Sequence, residues 1–187
     1  MPGNPEIFRQ YLEKFHALAV TNARSRWVEK TPRHIQRIQF LLENAKGAKI
    51  VATLRDPRDV CYSLKKRHGD LESGIKRWAI DNGALLPFIK HSELRVVRYE
   101  NLVGNPVEEM RGLMEFLGED FEDTQLNYHE SKVQWYSKSD TKPASDIGEA
   151  NHNQNRNWQI NQPLFDGRGK WRDGLCSEEL KKIQVIL

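Results

Sequence analysis

Apolar positions along the chain follow two rhythms. In "NPEIFRQYLEKFHALAV", Phe8, Leu12, Phe15 and Leu18 recur at helical spacing, with Asn4 as a cap and Pro5 at the first helical position. "SRWVEK" reads as a short strand that runs into "TPRH". There Thr31 can cap, and Pro32 can start, a helix with Ile35, Ile38, Leu41, Leu42 and Ala45 inside and Gly47 as its stop. "AKIVATLR" shows no polar alternation and reads as a fully buried strand. Asp56 and Pro57 repeat the cap-and-start arrangement. Residues 72–91 read as helix, weakened by Gly83 and Pro87. "LRVVRYENL" is a third strand candidate. Asn105 and Pro106 open a further helix with Val107, Met110, Met114 and Leu117 inside and Gly118 at its end.

Strand, cap, helix, strand is the order of an α/β fold with a parallel sheet flanked by helices. Ligands of such sheets sit beyond the carboxyl ends of the strands. Glu29 and Lys30, Arg55, and Arg98 with Tyr99 occupy those ends. From about 127 to 171 the pattern gives way to a polar, asparagine-rich stretch. It reads as a long loop, either plain surface or a cover over a site. "SEELKKIQVIL" begins a helix at Ser177 and stops while still apolar, as a fragment would. No internal repeat interrupts this reading of residues 1–187 as a single domain.

Composition narrows the class. Apolar residues make up 38% and charged residues 29% of 187, as expected for a soluble globular domain with a real core. No apolar run approaches the ~20 residues a membrane span needs, and "MPGNPEIFRQ" lacks a secretory pattern. Two cysteines make no disulfide framework, and there is no Asn-x-Ser/Thr acceptor, so a reducing cytoplasm is the expected compartment. The histidines and cysteines lack ligand spacing, so no metal is expected. A formal charge of +3 is too small to imply nucleic-acid binding. The "SLKKRHG" patch leaves that the weakest of the candidate functions.

The basic residues cluster at "ATLRDPRDVCYSLKKR". Arg55 ends a strand beside a helix start, where backbone N–H groups and the helix dipole favour an anion. Ser63 lies about two turns into that helix, and Arg67 follows at i+4 on the same side. A guanidinium fork plus a hydroxyl suits a phosphate monoester. The plain alternative is that Arg55 pairs with Asp56 or Asp59. Trp78 reads as a helix core residue.

"KIVATLRDPRDVCYS" resembles the 3′-phosphate-binding segment of sulfotransferases that use 3′-phosphoadenylyl sulfate (PAPS), where a strand-end arginine and a helix serine stand eight residues apart. "RVVRYENLVGNP", "GRGKWRDGLCSEEL" and "EKTPRH" resemble three further segments of that family, in its order. The resemblance implies a P-loop-kinase-like fold and sulfuryl transfer from PAPS to a hydroxyl or amine. It implies that Arg55 and Ser63 hold the 3′-phosphate, with Lys170 and Tyr99 as further cofactor contacts beside Arg67, which the helical spacing adds. Lys30 would stabilise the leaving oxygen, and Glu29 or His34 would take the acceptor's proton. The alternative for Tyr99 is a buried sheet tyrosine.

The family's Gly-x-x-Arg-Ser-Gly-Thr loop, which cradles the 5′-phosphosulfate, is not in the sequence. The sheet is therefore expected to be incomplete. A fragment, a chain completed by a second copy or another polypeptide, and a degenerate relative all fit. The competing function is a non-catalytic nucleotide-binding module. The acceptor, small or macromolecular, is not set by the sequence.

Overall fold

A computed structural model describes residues 4–133 and 152–185. The chain divides into two compact units, Met1–Glu100 with Arg168–Leu187, and Asn101–Gly167.

The first unit begins with α1 (Pro5–Thr21), where the Asn4 side chain accepts the N–H of Glu6 and of Ile7. Its expected apolar face is only partly used: Phe8 packs edge-on against Phe40, while Phe15 and Leu18 remain exposed. Residues 25–30 form no strand. Trp27 instead stacks on Phe15 at 4.9 Å, and Val28 is 94% exposed. A strand needs a neighbour for its ladder, and among the described residues the one sheet pairs two other segments. After a 3-10 turn at Pro32–Arg37 comes α2 (Ile38–Asn44). Thr31 makes no cap there, because its hydroxyl donates to Glu29 Oε1 at 2.6 Å.

β1 (Ile50–Leu54) pairs in parallel with β2 (Leu94–Arg98), Ile50 opposite Leu94 and Leu54 opposite Arg98. Between them run α3 (Pro57–His68) and α4 (Leu71–Leu85), the crossover a parallel pair requires. Ala52 and Leu94 join Ile38 and Leu85 in one buried core, with Ile35, Leu42, Ile50, Phe88 and Val96 around it. The expectation that β1 is buried on both faces fails at Val51, which is 40% exposed. The architecture is thus α/β, with a small, open parallel sheet among many helices.

The end of the chain returns to α3. A 3-10 turn at Lys170–Asp173 leads into α8 (Ser177–Gln184). Ile183 and Leu175 bury against Cys61 in a second core, flanked by Tyr62, Leu71, Ile75, Trp171 and Leu180. Burial and the nearby Asp56 push the Cys61 thiol up to about 11, so it is an inert core residue. Gly174 lies where any Cβ would collide with the Tyr62 ring. Gly174→Ala is therefore expected to lower stability by about 1–3 kcal/mol, the usual cost of overpacking, read as the shift of a urea unfolding midpoint.

α5 (Tyr99–Gly104) leaves β2 and crosses into the second unit. That unit holds α6 (Pro106–Leu117), with Asn105 before it and Gly118 at its end, and α7 (His152–Gln159). Part of the stretch read as polar loop is therefore helix. Within the unit, Asn161 exchanges two hydrogen bonds with the Val133 backbone, and Tyr128 donates to Gln162 O at 2.8 Å. The suggested cover falls largely on residues 134–151, outside the described ones. Among the described residues no helix is long and apolar enough to cross a membrane.

Candidate functional site

The site is built where β1 gives way to α3. Asp56 caps α3: its carboxylate accepts the Arg58 N–H at 2.8 Å and pairs with the Arg58 guanidinium. Burial raises the Asp56 carboxyl, but the Arg58 hydrogen bonds and charge outweigh it and hold it below its usual value. This corrects one expectation. The helix start that the sequence offers to an anion is partly filled by the chain's own acid.

Arg55 stands beside that helix start. Its guanidinium lies 4.4 Å over the Tyr99 ring, and Nη2 stands 3.9 Å from Asp59 Oδ2. The plain alternative is thus half present: Asp59 is a loose partner of Arg55, while Asp56 belongs to Arg58. The Arg55 side chain remains 27% exposed, its fork set on an aromatic face that fixes its plane. Trp78 steadies the same point, donating its indole N–H to Arg55 O at 3.0 Å. Glu100 ties the two strand ends together, Oε1 accepting the Asp56 N–H at 2.9 Å.

On α3, Asp59, Ser63 and Arg67 recur every four residues and so share one face. Ser63 and Arg67 are exposed on it. Asp59 is 2% exposed and accepts two backbone N–H groups from the far end of the chain, Gly169 on Oδ2 at 2.8 Å and Trp171 on Oδ1 at 3.1 Å. Gly169 has φ +72°, the left-handed conformation that glycine adopts without strain. Arg168 donates to Glu100 O at 3.4 Å. The Trp171 ring has the Arg58 guanidinium at 4.3 Å and that of Arg172 at 4.7 Å. Two residues after Ser63, Lys65 pairs with Glu179 at 2.6 Å, and that pairing together with the Cys176 N–H holds the Glu179 carboxyl below its usual value.

The structure therefore joins Arg55, Tyr99 and the turn around Lys170 through Asp59 and Glu100, with Ser63 and Arg67 on the Asp59 face. Glu29 and His34 form a pair of their own, His34 Nδ1 to Glu29 Oε2 at 2.8 Å, with Lys30 between them in sequence and exposed. Sequence reasoning left out Asp59, Glu100 and Trp78 as builders of the site. In the sequence Asp59 shows only as an acid within a basic helix.

A model of the sulfotransferase family matches residues 3–123, which include the whole β1–α3 corner and the Tyr-Glu-Asn turn. The chain belongs to the sulfotransferase family. Among solved structures, this sulfotransferase-family chain is similar to the sulfotransferase domain from the curacin biosynthetic pathway. The TM-score is 0.60 at 18% identity, over 92% of this chain and 66% of that domain. At such identity the likeness is one of fold, and the chain spans just under two thirds of that domain's length. No curated protein sequence matches it.

Proposed function

We propose that this chain grips the 3′-phosphorylated adenine nucleotide of PAPS at the β1–α3 corner and serves sulfuryl transfer to a hydroxyl or amine. The observation that carries the reading is the convergence of Arg55 with the basic turn at 168–172, two segments far apart in sequence locked to one helix face. The donor set suits the group: an oriented guanidinium, the Ser63 hydroxyl on the next turn of that face, and the flanking charges of Arg67 and Lys170. Tyr99 serves as the platform under Arg55, a role between the two expected for it.

PAPS, when bound, supplies the activated sulfuryl group. Lys30 is the residue proposed to stabilise negative charge on the leaving oxygen. Glu29 and His34, open alternatives in the sequence, act as one proton-accepting unit. The carboxylate on Nδ1 orients the imidazole and leaves Nε2 as the nitrogen that meets the acceptor.

One observation favours a second reading, a nucleotide-binding module without transfer: the 187 residues hold no glycine-rich phosphosulfate loop. Both readings share the nucleotide grip, so that is what the experiment addresses. Calorimetric titration of the chain with adenosine 3′,5′-bisphosphate and with 5′-AMP is expected to favour the bisphosphate by about 10- to 150-fold, since a hydrogen bond to a charged group contributes about 1.5–3 kcal/mol. Equal affinities would overturn the reading. Labelled-sulfate transfer, assayed with a phosphosulfate loop restored, then separates enzyme from module.

A further inference from the structure

Asp59 is a poor residue for its place unless it has work to do. Burying a carboxylate costs several kcal/mol before compensation, and the side chain is only 2% exposed. Every contact described for it lies at the site. Oδ2 accepts the Gly169 N–H and faces the Arg55 guanidinium, and Oδ1 accepts the Trp171 N–H. The two accepted N–H groups flank Lys170, so one carboxylate fixes the backbone on both sides of that lysine. Gly169, in its left-handed conformation, lets the chain wrap the carboxylate.

We infer that Asp59 is a positioning residue, the buried acid that assembles the anion site by holding the Lys170 turn and Arg55 on one face of α3. The inference rests on the nucleotide reading above. It assigns Asp59 no contact with the nucleotide and no part in bond making. Its effect is geometric: one carboxylate meets the Arg55 guanidinium and the backbone on both sides of Lys170, and so holds together two segments far apart in sequence. It also explains an acid inside an otherwise basic receptor, since both its oxygens are turned to backbone N–H groups and are not offered to the ligand.

Asp59→Asn in the full chain is the test. The amide oxygen replaces one acceptor, but the amide nitrogen presents a donor to the other N–H, so half the clamp is lost. Amide exchange followed by NMR is expected to quicken at least tenfold at Gly169 or Trp171 while β1 and α4 keep their protection. Affinity for adenosine 3′,5′-bisphosphate is expected to fall at least tenfold with that for 5′-AMP unchanged. Faster exchange with full bisphosphate preference would overturn the inference, because Asp59 would then be structural only. Unchanged exchange would overturn it too.

If the wild-type chain fails to distinguish the two nucleotides, the nucleotide reading itself falls, and the exchange data still report the clamp. Should Asp59→Asn not fold, Lys170→Ala replaces it, since it leaves both clamping N–H groups in place. A severalfold loss of bisphosphate preference supports the inference, and an unchanged preference overturns it.

Discussion

Arg55→Ala is expected to weaken adenosine 3′,5′-bisphosphate binding by about 10- to 150-fold and to leave 5′-AMP within about twofold, because only the first ligand carries the 3′-phosphate proposed as the partner of Arg55. The size follows from the geometry. The side chain is mostly shielded, its guanidinium held over Tyr99 at 4.4 Å and opposed by Asp59 at 3.9 Å. Its orientation is therefore settled before a ligand arrives, and little entropy remains to be lost. Arg55→Lys is expected to fall between the two, since an ammonium keeps the charge but not the fork or the stacking. Calorimetry on all three chains checks the order. Equal losses for both nucleotides in Arg55→Ala would mean that the arginine supports the fold and does not read the 3′ position.

Ile183→Ala is expected to lower stability by about 2–5 kcal/mol, the range for truncating a well-packed aliphatic side chain. Ile183 is fully buried, against Cys61 of α3 and Leu175, with Trp171 and Leu180 beside it. It is what pins α8, and with it the turn around Lys170, to the helix that carries Ser63. A urea titration should show a lower midpoint with an unchanged slope. A loss under 1 kcal/mol would mean that the cavity collapses and that α8 is held chiefly by the Lys65–Glu179 pair.

Local signals in the chain were reliable where a cap and a proline stand together. Asp56 and Pro57 start α3 as read, Asn4 and Pro5 start α1, β1 lies where an uninterrupted apolar run places it, and β2 takes only the first five residues of "LRVVRYENL", the rest of which turns into α5. Thr31 and Pro32 misled because Glu29 takes the threonine hydroxyl, which replaces a capped helix by a 3-10 turn. "SRWVEK" has strand-like residues, yet Trp27 finds Phe15 and no strand lies alongside. α7 was hidden by its composition, since "HNQNRNWQ" carries too few apolar positions to show a period.

The candidate residues could be named from the sequence, Arg55 and Ser63 by type and spacing and Lys170 by the family resemblance, but not their wiring: Gly169 binds Asp59 across 110 positions. No local pattern encodes a contact of that separation. Glu100 is a similar case: in sequence it is one member of a Tyr-Glu-Asn turn, and in the fold it fastens the end of β2 to the start of α3. Each is a side chain satisfying a backbone group left over by an element's end, a need that appears only once both ends have met.

The most direct measurement is a crystal structure of the chain with adenosine 3′,5′-bisphosphate. The account predicts 3′-phosphate oxygens within about 3.2 Å of both the Arg55 guanidinium and the Ser63 hydroxyl. A nucleotide bound with its 3′-phosphate elsewhere, and those two side chains unengaged, would contradict it.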